Sequence, residues 1–294
     1  MVGLRPAEAS LNRIITDLSM ETENDTIIDT IRRFYGRYDE SSRLASGSFR
    51  LEFARTCAIL TRCLPPAPSH VYDIGGGPGS YAAWLADRGY DVDLLDAVES
   101  HVSCASAVPV SGVGAVRARI GDSRSLPYPD RSAEAVLLLG PLYHLTDQED
   151  RLVSLRECLR VLRPGGRLIA AAVSRYVSTL EGLFKGTFAD PKFQRIAAGD
   201  RATGQHRNDD EIEGYFTTGF FHHPNELRAE VEAAGFRFDE LCAVEGPAGL
   251  LPDFDRAWEN PTTRSWILEV ANAFESEASA LAVSNHFIAI CTRT

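Results

Sequence analysis

The chain has 294 residues, 44% of them hydrophobic, enough for a large core built as one domain with an insertion or as two small domains. Its 30 basic and 41 acidic residues leave a formal charge of −11, which speaks against a nucleic-acid partner, and apolar runs such as residues 135–139 are far too short to span a membrane. The six cysteines, at positions 57, 63, 104, 158, 242 and 291, form no CxxC pair and fit reduced thiols of a cytoplasmic protein without disulfides or zinc.

Residues 1–23 show no firm periodicity and are expected to be partly disordered; Met1 to Met20 lack the basic-then-apolar pattern of a secretory leader, so none is expected. A helix is predicted from Asn24, capped by Asn24 or Asp25, because Ile27, Ile28, Ile31, Phe34, Tyr35 and Tyr38 recur at helical spacing. A loop over 39–47 leads to a second helix at 48–64, stopped by Pro65, Pro66 and Pro68. Strand and helix then alternate: strand 70–74, helix 80–88 closed by Gly89, strand 91–95 ending at Asp96, helix 98–107, strand 115–120 and an almost wholly apolar strand 133–139. Thr146-Asp-Gln-Glu149 reads as a capping box for a helix running to Leu162, the Arg163-Pro-Gly-Gly166 turn ends it, and strand 167–173 follows. Residues 174–223 break the rhythm and are too long for a plain crossover, so they read as a helical insertion capping the sheet edge. Helix 224–234, strand 236–245, helix 262–282 and strand 285–292 complete the chain. This order implies an α/β fold with a doubly wound sheet, in which ligands bind where strands end.

The most informative stretch is Val71-Tyr-Asp-Ile-Gly-Gly-Gly-Pro-Gly79. A β-rich segment ends in an acid, Asp73, and runs through a glycine turn into a helix at Ser80, an arrangement that brings backbone N–H groups up to a polar ligand. Gly75, Gly77 and Gly79 let a ligand lie against the main chain. The nicotinamide fingerprint G-x-G-x-x-G would need a third glycine where Ser80 stands, and Pro78 sits inside the turn, so a nicotinamide-dependent oxidoreductase is the weaker reading. Asp96 follows 21 residues after Gly75, where an acid can accept both hydroxyls of a ribose, with Glu99 a lesser rival.

The acid-x-G-x-G-x-G form resembles motif I of the class I S-adenosylmethionine (SAM) dependent methyltransferases, and the likeness carries some specificity over 71–173. It implies a Rossmann-like seven-stranded sheet, SAM as cofactor, and a division into an N-terminal helical lid (24–69), a SAM-binding core (70–173), a capping insertion over the substrate site (174–223) and completion of the sheet (224–294). It further implies that Asp73 orients the methionine end of SAM and that Asp122, followed by Ser123, bonds the adenine amine. Leu139-Gly140-Pro141-Leu142-Tyr143-His144 then occupies the slot facing the methyl group. Family members that methylate adenine or glutamine nitrogens carry Asn/Asp-Pro-Pro-Tyr there; Gly140 and Leu142 depart from it, which argues against those substrates and leaves the Gly140 carbonyl for the methionine moiety.

The expected activity is methyl transfer to an O, N or C nucleophile of a small molecule. His144 is the candidate general base, since histidine titrates near neutral pH, with Tyr38 the next catalytic candidate. Tyr35, Asp39, Tyr143, Tyr215 and His222 are the candidate substrate contacts. His222-His223 lack metal-site spacing, and Asn208-Asp209-Asp210, which could suggest the magnesium site of catechol-type methyltransferases, reads as a surface turn because that site needs acids at strand ends as well; no metal is expected. The protein is expected to act as a monomer or homodimer on a small-molecule acceptor, without nucleic acid or membrane. The remaining rival, from another class, is a non-catalytic SAM-binding regulatory protein.

Overall fold

The computed structural model describes residues 27–294, so the expectations for 1–23 and for a cap at Asn24 or Asp25 lie outside the described residues. Helix α1 occupies 27–35 and α2 Phe49–Cys63. Between them the predicted loop contains a 3-10 turn, Glu40–Ala45, because Asp39 caps it: Asp39 Oδ1 accepts the Ser41 N–H at 3.0 Å. The core then runs β1 (His70–Ile74), α3 (Ser80–Ala86), β2 (Asp91–Asp96), α4 (Glu99–Ser106), β3 (Ala115–Ile120), β4 (Ala133–Leu138), α5 (Gln148–Val161) and β5 (Leu162–Val173). Helix α5 is not opened by the expected capping box. Asp147 is the cap, accepting the Glu149 N–H at 2.7 Å, while the Glu149 side chain reaches outward to Arg156.

The insertion holds α6 (Val177–Lys185), α7 (Pro191–Thr203) and a two-stranded hairpin of β6 (Gln205–His206) and β7 (Gly219–Phe220). Helix α8 (Pro224–Ala233) and strand β8 (Arg237–Ala243) follow. After α9 (Phe254–Glu259), the segment read as one helix over 262–282 is divided into α10 (Pro261–Phe274) and a separate 3-10 turn, Ala278–Val283, capped by Glu277 before β9 (His286–Thr292).

The seven strands lie in the order β3-β2-β1-β4-β5-β9-β8. The pairings from β3 through to β5 are parallel, and β9 runs antiparallel to both β5 and β8. This is the Rossmann-like sheet that the sequence implies. Apolar residues cover both faces, with Leu155, Cys158, Leu227 and Val231 on one side and Ile59, Leu60, Ala82 and Leu85 on the other. Double coverage explains why β4 reads as a continuous apolar run: Val136, Leu137 and Leu138 are fully buried at its heart. Because β9 is antiparallel, its first residue, His286, stands at the same sheet edge as the carboxyl ends of β1, β4 and β5, paired with Val173.

Candidate active site

A cavity opens along that edge, lined by the glycine turn, the ends of β2 and β4, helix α1, the 3-10 turn at 40–45, α2 and the start of β9. The turn is built for close approach. Gly75 has φ +69°, and a Cβ there would fall 2.6 Å from the Pro141 ring, so the turn can nest against the loop after β4 only as glycine. Gly77 differs: at φ +57° its missing Cβ would meet nothing nearer than Glu40 Cγ at 3.9 Å, which leaves space over the main chain. Gly79 faces protein rather than the cavity, with Ala105 3.1 Å from where its Cβ would be.

Asp96 ties this turn to β2. Its Oδ2 accepts the Gly77 N–H at 2.9 Å, and its Oδ1 accepts the Val98 N–H at 2.9 Å and meets His101 Nδ1 at 3.1 Å. Asp73 is only 1% exposed, lines the cavity, and neither carboxylate oxygen has a hydrogen-bond partner among the described residues. Burial, and then the neighbouring charge of Asp96, push its pKa up to about 7. A buried carboxylate without a donor is costly, so this corner is suited to a cationic ligand. Asp122 and Ser123 also line the cavity; the Asp122 carboxylate is held by Arg124, which in turn reaches Asp150 at 2.8 Å.

At the other end of the turn Gly140, Tyr143 and His144 line the cavity together with Tyr35 of α1. Tyr35 Oη lies 3.1 Å from His144 Nε2, and no described residue pairs with His144 Nδ1. Burial lowers the His144 pKa to about 4, so the ring is neutral at pH 7, contrary to the near-neutral titration expected from residue type alone. Burial likewise raises the Tyr35 and Tyr143 phenols well above their ordinary range. Phe216 of the insertion packs against Phe34, Tyr143 and His144 at ring-centroid distances of 5.6, 6.2 and 5.4 Å. The insertion and α1 therefore meet behind the loop that follows β4.

Five of the residues put forward from sequence lie outside the cavity lining, Gly79 of the turn among them. Tyr38 and Asp39 are exposed, and Asp39 serves as a cap. The Tyr215 phenol donates to Asp190 at 2.8 Å. His222 is fully buried against Glu230 at 3.2 Å, with burial lowering its pKa. In their place the structure brings in Glu40, Arg43, Glu52, His101 and His286. Arg43 holds Glu52 by two bonds, at 2.6 and 3.1 Å, and Glu40 at 2.6 Å; nothing in the spacing of these residues along the chain marks them.

The residues present fit SAM: an unpaired buried carboxylate for its cationic end, an open glycine for its close approach, and acids at the ends of β2 and β3 for its adenosine. Residues 72–170 match the family model of the methyltransferase domain. A demethylmenaquinone methyltransferase from Deinococcus radiodurans is 26% identical over 73% of this chain and 86% of its own length. A ubiquinone/menaquinone biosynthesis C-methyltransferase from Pseudomonas fluorescens is 27% identical over 72% of this chain and 81% of its own length. Among solved structures, a SAM-dependent methyltransferase from Thermotoga maritima, described as a possible histamine N-methyltransferase, superposes with a TM-score of 0.56 at 18% identity, covering 90% of this chain and 99% of that one. At that identity the likeness speaks for the fold alone. These matches do not favour the nicotinamide and regulatory readings. Sheet order, glycine turn and sequence relatives agree, and the chain is a class I S-adenosylmethionine-dependent methyltransferase.

Proposed function

We propose that the enzyme methylates a small, largely apolar molecule held between the loop after β4, helix α1 and the start of β9. SAM supplies an already activated methyl group. The protein's task is then to hold donor and acceptor in line and to exclude water. Asp73 neutralises the cationic methionine end, the Gly140 carbonyl faces the same moiety, Asp96 accepts the ribose hydroxyls, and Asp122 with Ser123 meets the adenine edge. Tyr35, Tyr143 and His144 enclose the acceptor. Neutral His144 orients it by accepting a hydrogen bond and takes up a proton only against the cost of its burial. Residues 27–69, the described part of the lid, cover the site, and the insertion at 174–223 braces them through the Phe216–Phe34 contact. The name of one relative, a C-methyltransferase of ubiquinone/menaquinone biosynthesis, supports carbon as the methylated atom. No helix among the described residues is long and apolar enough to cross a membrane; action in the cytoplasm, as a monomer or homodimer, is part of this proposal.

The unpaired Asp73 carboxylate carries this reading. Asp73→Asn keeps the shape of the side chain and removes its charge. Calorimetry should show SAM binding weakened by about 10- to 100-fold, the usual scale for losing a charged hydrogen-bond partner. Unchanged affinity would remove Asp73 from the site. Failure of the wild-type protein to bind either SAM or S-adenosylhomocysteine would overturn the assignment of this cavity.

A further inference from the structure

His286 is a charged group on the cavity wall that cofactor binding does not use. Its Nδ1 meets Glu245 Oε1 at 2.6 Å and lies 3.9 Å from Glu52 Oε2, while Glu245 Oε2 accepts the His286 N–H and the Ser284 hydroxyl, both at 2.9 Å. Arg43 occupies Glu52 from the other side. The charges packed around the ring are therefore Glu245 after β8, Glu52 of α2 and Arg43 of the 3-10 turn. Despite burial, the two carboxylates raise the imidazole pKa to about 9, so the ring is an imidazolium at neutral pH. Arg43 spends three of its N–H groups on Glu40 and Glu52, and Glu245 takes the hydrogen on His286 Nδ1, whereas His286 Nε2 has no acceptor among the described residues.

We propose that His286 Nε2–H is an oxyanion anchor in the acceptor subsite, holding the ionised hydroxyl of a phenol- or enol-type acceptor. This rests on the methyl-transfer reading above. Position supports it. The cofactor residues follow β1, β2, β3 and β4, whereas β9 lies two strands beyond β4, roughly 10 Å away at the usual strand spacing. The sheet edge between contributes the apolar Leu139, Ala171 and Ile288 to the lining. A molecule about one or two rings across therefore spans from the Gly140 loop to His286. Its anchored oxygen is then not the atom methylated: the reacting carbon or heteroatom lies at the opposite edge of the frame. An anion bonded to a cationic donor in an apolar setting is also a better nucleophile than the neutral phenol, because its charge is delocalised onto the ring. The ligand atoms of Glu52, Glu245 and His286 lie within 4.8 Å of one another, as in a metal site, but Arg43 and Ser284 already fill the carboxylates.

The test uses the full chain saturated with S-adenosylhomocysteine, with 4-nitrophenol as probe and 4-nitroanisole as its non-ionising counterpart. The wild type should bind the nitrophenolate about tenfold or more tightly than the ether, on the scale of one charge-assisted hydrogen bond, and should raise the visible absorbance of the anion at a pH below the probe's own pKa. His286→Gln should abolish that preference and leave S-adenosylhomocysteine affinity unchanged. Glu245→Gln, which keeps the imidazole but removes the carboxylate that holds its proton, should weaken anion binding at neutral and alkaline pH, and it serves if His286→Gln does not fold. Equal binding of phenol and ether, binding of neither, or a preference intact in both variants would overturn the proposal. So would a parallel loss of S-adenosylhomocysteine, which would make His286 a contact of the methionine carboxylate, or zinc or manganese raising the melting temperature in a His286-dependent way. If the wild type fails to bind S-adenosylhomocysteine at all, the methyl-transfer reading falls first and the subsite with it.

Discussion

Tyr35 Oη and His144 Nε2, 109 residues apart in sequence, meet at 3.1 Å across the cavity, joining helix α1 to the loop after β4. The bond does two things: it positions a neutral imidazole, and it closes one side of the cavity. Tyr35→Phe and His144→Gln should each lower turnover and should not add in the double variant, with a coupling of about 0.5–3 kcal/mol as expected for residues in direct contact. His144→Gln alone should cost about 10²-fold or more in rate if the ring handles the acceptor's proton, with S-adenosylhomocysteine affinity nearly intact by calorimetry. A loss below roughly threefold on that scale would leave the ring a packing role only.

If Asp73 meets the cationic end of SAM as proposed, cofactor binding should depend on pH. With its pKa raised to about 7, the carboxyl of the ligand-free protein is about half protonated at neutral pH, and a cationic ligand draws out the remaining proton. SAM affinity should therefore rise by roughly tenfold between about pH 6 and 8, then level off. Asp73→Asn should flatten the profile. The same shift works against the ligand-free fold at higher pH. The native state holds this proton where the unfolded chain has already lost it, so the contribution to stability is present in acid and is lost as pH rises through about 7. Melting curves of wild type and Asp73→Asn across that window will show it.

Two adjacent glycines should respond in opposite ways. A side chain at Gly77 enters open space, so Gly77→Val should fold with a penalty of about 1–2 kcal/mol for the positive φ and lose SAM binding. At Gly76 a Cβ would lie 2.6 Å from both Asp73 Oδ2 and Leu94 Cδ1, so Gly76→Ala should lower the melting temperature more than its one added carbon implies. Normal SAM binding by Gly77→Val, measured by thermal shift, would mean that the ligand does not lie over this turn.

Asp96, proposed to hold the ribose, already has a structural task. Because it also holds the N–H groups of Gly77 and Val98, Asp96→Ala should loosen the turn as well as remove the charged acceptor. An affinity loss of about 10- to 100-fold is expected, accompanied by faster amide exchange at Gly77. Unchanged calorimetry would exclude Asp96 from cofactor binding.

The half of the cavity proposed for the cofactor was legible in the sequence as a cluster because its parts are local. A glycine turn joining a strand to a helix, and acids placed directly after strands, depend on backbone geometry and short spacing, and the order of elements carries them to one sheet edge. Asp73, Gly75, Gly77, Asp96, Asp122, Ser123 and Gly140 all line the cavity for that reason. The acceptor half depends on contacts between distant segments. Arg43, Glu52 and His286 come from a 3-10 turn, a helix and the last strand, and only the antiparallel entry of β9 brings His286 to the ligand edge. Residue type also misleads where burial governs: His144 and His286 share one intrinsic pKa, yet desolvation takes the first to about 4 and two carboxylates take the second to about 9. Tyr215 and His222 sit in an aromatic run that pattern alone assigns to the cavity, but packing turns them toward Asp190 and Glu230. Local chemistry is written along the chain, whereas the charge state and facing of a side chain are set by what tertiary packing places around it.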